Sequence, residues 1–233
     1  MPDMFEIYRK HADRYDELVR SEDYENNLGQ FLQNLLDWNN IQVIEAGVGT
    51  GRVTKLYIEQ VASAVCYDQS QHMLDYARQA LFLYKPKLTF RKAENTDLPK
   101  LDRVFDVFIE GWSFGHTAMG CSTVEEVQRV TEVLISNAAR NLKPGGTIII
   151  METLGTNTEL PVPPHENLRK FYEELEQKHD FTSHVIRTDY RFPTNQEAAQ
   201  VMGFFFGDSM EQSVINRANN IIPEWTGIWT KKI

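Results

Sequence analysis

Short β-branched apolar runs alternate with stretches of helical periodicity along this chain of 233 residues. A polar, aromatic-studded opening over residues 4–38 reads as helices. It is followed by IQVIEA (41–46), a compact apolar run that meets glycines at once, which predicts a buried strand. A helical stretch over about 51–61 leads to a second strand, SAVCYD (63–68), and SQHMLDYARQALFLY (70–84) then sets Met73, Ala77 and Leu81 at helical spacing. LTFRKA (88–93) and RVFDVFIEGW (103–112) read as the third and fourth strands, the latter with the near-continuous apolar centre of a strand covered on both faces. Ser122-Thr-Val-Glu125 has capping-box spacing and predicts the start of a long helix that runs to Pro144 and Gly145, before TIIIMET (147–153) as the fifth strand.

This repetition predicts an α/β fold, a doubly wound, Rossmann-like and mostly parallel sheet with right-handed crossovers. The tail changes character. SHVIRTDYRF (183–192) reads as a strand, Thr194-Asn-Gln-Glu197 caps a helix, and PEWTGIWTK (223–231) alternates, so two late strands bring the sheet to seven with an antiparallel edge. TLGTNTELPVPPHEN (153–167), rich in Pro, Thr and Asn, is expected as a loop or lid over the site. With no repeat or Gly/Ser linker to divide it, the chain is read as one domain, 1–233, whose first 40 residues form a helical cap.

Composition narrows the function. Lys and Arg number 24 against 33 Asp and Glu, a formal charge of -9, which opposes sequence-independent nucleic-acid binding. Cys66 and Cys121 make neither a disulfide framework nor a metal-site spacing, so no metal is expected, and a charged N-terminus with no long apolar run predicts a cytoplasmic protein away from membranes. Oligomeric state is left at monomer or homodimer.

In an open α/β sheet, ligands bind beyond the carboxyl ends of the strands. After the first strand the sequence reads Glu45-Ala46-Gly47-Val-Gly49-Thr-Gly51-Arg52. The dinucleotide pattern G-x-G-x-x-G wants glycine where Arg52 stands, and Glu45 aims an anion at a loop that would have to cradle a diphosphate. A ligand bearing an ammonium or sulfonium is favoured over NAD. Asp68, at the end of the second strand, is placed to accept from ribose hydroxyls, or alternatively to cap the next helix. Glu94 and Asn95 offer an acidic acceptor and an amide to an adenine edge.

VIEAGVGTGRVTKL, VCYDQSQHMLDYAR, RKAENTDLP, FDVFIEGWSFGH and LKPGGTIII, in that order over residues 41–152, resemble the motif series of class I S-adenosylmethionine-dependent methyltransferases. The resemblance implies S-adenosylmethionine as cofactor, a cofactor-binding core over 41–152 and a substrate-side loop with sheet completion over 153–233. It implies cofactor contacts from Glu45, Ala46, Gly47, Gly49, Gly51, Arg52, Asp68, Gln69, Met73, Glu94, Asn95, Glu110 and Gly111. Family members often carry Asp where Glu45 and Glu94 stand. On the acceptor side, Trp112 would wall the site, and His116 or Tyr15 would take a proton from the nucleophile. Tyr8, Tyr15 and His165 complete the expected lining, with Tyr172 as a further lid residue. The expected acceptor is a small molecule. A non-catalytic binding module and an NAD-dependent oxidoreductase are the alternatives.

Overall fold

Seven strands lie in the order β3-β2-β1-β4-β5-β9-β6 in the computed structural model, which describes residues 4–102 and 104–233 apart from the side chains of Met4, Phe5 and Tyr8. In chain order the elements are α1 (Met4–Lys10), α2 (Ala12–Ser21), α3 (Asn27–Leu35), β1 (Gln42–Ala46), α4 (Thr54–Tyr57), β2 (Ser63–Asp68), α5 (Gln71–Ala80), β3 (Leu88–Lys92), β4 (Phe105–Gly111), α6 (Phe114–Met119), α7 (Val124–Ala139) and β5 (Leu142–Thr156). Then come α8 (Glu166–Gln177), β6 (Thr182–Arg187), β7 (Tyr190–Arg191), α9 (Asn195–Phe206), α10 (Asp208–Ile215), β8 (Ile221–Ile222) and β9 (Glu224–Lys232). β1 to β5 pair in parallel, and β9 runs antiparallel to both β5 and β6. The lone antiparallel strand therefore sits one place in from the margin, and the marginal strand β6 points the same way as the core.

The period of two along each strand divides the core between the two sheet faces. Ile44, Val65, Phe108 and Ile148 pack on one side with Phe114, Leu134 and Phe171 from α6, α7 and α8. Val43, Ala64, Val107 and Ile149 pack on the other with Leu28, Tyr57 and Leu74 from α3, α4 and α5. A third cluster joins Ile7 and Leu18 of the N-terminal helices to Val201, Met202 and Phe205 of α9 and Val214 of α10, so the cap is built from both ends of the chain.

Several boundaries differ from expectation, each for a local reason. Thr123, not Ser122, caps α7: its Oγ1 accepts from Glu126 N at 3.2 Å, while Ser122 N donates to Glu126 Oε2 at 2.7 Å. That helix ends at Ala139, and Lys143 to Gly146 form a bulge in β5 between the Phe105–Leu142 and Val107–Thr147 pairs. The stretch expected as one strand over 183–192 is broken into β6 and β7 at Thr188 and Asp189. β5 runs on to Thr156, which shortens the expected lid. The remaining loop is tied down by Trp225 Nε1 to Thr158 O at 3.2 Å and Arg217 to Asn157 Oδ1 at 2.7 Å, and none of its described residues lines the cavity below. No described helix is long and apolar enough to cross a membrane.

Candidate active site

A cavity of about 570 Å³, within the usual range for a small-molecule site, opens at the carboxyl ends of β1, β2, β3 and β4. Its floor is the turn after β1. Gly47 adopts φ +67°, and a Cβ there would lie 2.3 Å from Ser113, so only glycine lets the turn pass the β4 end. Gly49 lines the cavity and donates its N–H to Asp68 Oδ2 at 2.9 Å, while Asp68 Oδ1 accepts from Ser70 N at 2.8 Å. Asp68 thus braces the glycine turn and still has lone pairs to offer a ligand. Ser70, not Asp68, caps α5. Burial raises the Asp68 carboxyl above its ordinary value, against the pull of those two N–H groups.

Gln69, Met73, Glu94, Asn95 and Thr96 continue the wall, with Gly111, Trp112, Ser113 and His116 opposite, and Tyr15 of α2 closing one end. Asn95 Nδ2 donates to Ser113 O at 3.3 Å, so the turns after β3 and β4 are fixed to each other. Burial pushes the Tyr15 hydroxyl up to about 12, so it stays protonated at neutral pH and can donate a hydrogen bond. Burial lowers His116, leaving a neutral imidazole able to accept a proton.

Other expected site residues point elsewhere. Glu45 is buried on the α4 side of the sheet, where Thr54 Oγ1 and the Tyr57 hydroxyl donate to its Oε2 at 2.7 and 2.5 Å, and burial pushes it up to about 7. Ala46 is in the opposite core, and Gly51 packs on Leu81. Glu110 Oε2 accepts from Ser113 N, Ser113 Oγ and Phe114 N, at 3.2, 2.9 and 3.2 Å, so it fixes the turn behind the cavity wall. Burial raises Glu110 to about 7, and Glu152 beside it is raised well above the ordinary carboxylate range by burial and by the charge of Glu110. Arg52 is held by Glu22 outside the cavity. His165 caps α8, its Nδ1 accepting from Asn167 N at 3.1 Å, and Tyr172 is a core residue stacked 4.4 Å from Trp229. The Tyr8 side chain lies outside the described residues.

Residues that sequence reasoning passed over include Ser113, Thr117, Cys121 and an α7 stripe of Glu126, Arg129, Val130 and Val133. The stripe has helical spacing, but half of it is charged, so it reads as a solvated face. Across the described lining, Asp68, Glu94 and Glu126 stand against the single cation Arg129. Such a cavity suits a nucleoside that carries positive charge and opposes a diphosphate. No group of three described His, Cys, Asp or Glu residues is arranged to hold a metal ion.

Residues 44–150, the segment that builds this cavity's floor and walls, match the family described as the methyltransferase domain. Over this segment the chain is similar to a methyltransferase domain. The expectation of S-adenosylmethionine as its cofactor stands with that match. The chain is 31% identical to the uncharacterised protein YafE of Escherichia coli (strain K12) over 141 residues, 60% of this chain and 59% of YafE. The chain thus spans about three fifths of that relative's length. It is 22% identical over 187 residues to an uncharacterised methyltransferase of Oceanobacillus iheyensis, covering 76% of this chain and 82% of that one. Among solved structures, a complex of DhpI with SAH superposes with a TM-score of 0.56 at 14% identity, over 96% of this chain and 93% of the other, a likeness of fold.

Proposed function

We propose that the methyltransferase transfers a methyl group from S-adenosylmethionine to a small-molecule acceptor by in-line displacement. The observation that carries this reading is the acidic, glycine-floored cavity, in which Asp68 and Glu94 stand at the ends of adjacent strands and Arg129 is the single cation of the described lining. Asp68 would hold the ribose hydroxyls, Glu94 and Asn95 the adenine edge, and the Gly47–Gly49 turn the methionine portion. When bound, the cofactor supplies a methyl already activated by its sulfonium.

The residues around it orient, exclude water and move a proton. Tyr15, Trp112 and Ser113 present an uncharged wall, which suits an acceptor held by packing and single hydrogen bonds. His116, neutral through burial, takes the proton of an acidic acceptor at one ring nitrogen. An amine acceptor needs only orientation and desolvation.

Parallel calorimetric titration with S-adenosylmethionine, S-adenosylhomocysteine and NAD tests the reading, with Asp68→Ala and Gly49→Val as controls. Micromolar binding of the first two, lost in both variants, is the expected result. Binding of NAD in their place, or variants that bind as the wild type does, would overturn it.

A further inference from the structure

Arg52 stands immediately after the glycine turn, yet its guanidinium faces away from the cavity into a junction of three segments. Glu22, the residue that ends α2, grips it with both carboxylate oxygens at 2.7 and 2.8 Å. The same guanidinium lies 3.8 Å over the indole ring of Trp112, which follows β4 and lines the cavity. Both members of the ion pair are sheltered, the Glu22 side chain at 2% and the Arg52 side chain at 15% exposure. Tyr190 of β7 lies beside Glu22 as well.

Trp112 needs such support. Its φ of +54° is left-handed, a conformation that a bulky residue keeps only when its surroundings impose it. One restraint is its N–H, donated to Met151 O at 2.7 Å. The other is the guanidinium on its ring. Displacing Glu22 from this buried two-pronged pair would leave that acid without its counter-charge.

We propose that Arg52 is a positioning residue: it fixes Trp112 as the acceptor-side wall of the cavity and, through Glu22, makes that wall depend on the docked N-terminal helices. The proposal rests on the methyl-transfer reading only in naming that side for the acceptor. The N-terminal segment then shapes the chamber twice, directly through Tyr15, which sits 3.6 Å from where a Gly49 Cβ would be, and indirectly through Glu22. Arginine is required because only a planar fork pairs with a carboxylate edge-on while stacking on an aromatic face.

The test compares the wild type with Arg52→Lys, Glu22→Gln, the double variant Glu22→Gln/Arg52→Gln, which leaves no buried charge unpaired, and Trp112→Phe. Near-ultraviolet circular dichroism and acrylamide quenching are read without ligand, followed by titration with S-adenosylhomocysteine. Subtracting the Trp112→Phe spectrum isolates Trp112 from Trp38, Trp225 and Trp229. In all three Arg52 and Glu22 variants the Trp112 band should fall by about half and its quenching rise about twofold, while nucleoside affinity stays within about threefold. A Trp112 signal unchanged in Arg52→Lys and Glu22→Gln would overturn the proposal. So would a loss of affinity of about tenfold in Arg52→Lys with that signal intact, because Arg52 would then act on the nucleoside. Failure of the wild type to bind S-adenosylhomocysteine would sink the methyl-transfer reading alone, since the spectroscopic comparison needs no ligand.

Discussion

Thr54 and Tyr57 both spend their hydroxyl protons on one oxygen of Glu45, so removing that carboxyl orphans two buried donors. Glu45→Ala should cost about 2–5 kcal/mol of stability in chemical denaturation, whereas Glu45→Gln, which keeps an acceptor there, should cost little. Gly47→Ala has the opposite signature: its Cβ would collide with Ser113, and loss of S-adenosylhomocysteine binding in calorimetry is expected with the sheet intact. These two neighbours also show what could be read at the start. Gly47, Gly49, Asp68, Gln69, Met73, Glu94 and Asn95 were legible as cavity lining because strand ends and the turns after them border the open end of such a sheet whatever the details. Glu45, Ala46 and Glu110 were not, because successive side chains on a strand point to opposite faces and the runs IQVIEA and RVFDVFIEGW are apolar on both. Arg52 was misplaced for a different reason, since its partner Glu22 lies thirty positions earlier on a helix with no motif of its own.

At the scale of elements, the apolar runs placed β1 to β4 within a residue or two, and the errors arose where two signals overlapped. Ser122 and Thr123 are adjacent and each has a glutamate three positions on, so pattern alone could not choose between them. Thr194 had no rival, and its Oγ1 accepts from Glu197 N at 3.1 Å as expected. Thr194→Ala should remove about 1 kcal/mol from the folded state, seen as a lower midpoint in thermal melts. Because α9 carries Phe205, whose ring meets that of Tyr15 edge-on at 6.4 Å, the same variant should also loosen the Tyr15 end of the cavity. The proline-rich stretch misled as a lid because irregular composition reveals that a loop exists without revealing where its neighbours tie it.

At the scale of the whole molecule, buried acids outnumber buried cations near the sheet's carboxyl end among the described residues. Burial raises Glu45 and Glu110 to about 7, and burial with the charge of Glu22 raises Glu224 to about 8, against an ordinary value of 4.5. The folded chain therefore holds more protons than the unfolded one from about pH 4.5 upward. Stability should be fully present at the low end of that window and fall as pH rises through 7 and 8. His116, lowered by burial, acts in the opposite sense at acidic pH, so thermal midpoints should peak on the mildly acidic side. Glu224→Gln should flatten the alkaline limb, and midpoints that climb steadily to pH 8 would contradict this account. The interior position of β9 has a further consequence for synthesis on the ribosome. Its neighbours β5 and β6 are both complete before it emerges, and residues 188–223 intervene between β6 and β9. At ordinary translation speeds that interval lasts roughly 2–7 s, during which a nascent chain displays two bare hydrogen-bonding edges. A chain stalled there would be the form of this protein most prone to adhere to another copy of itself.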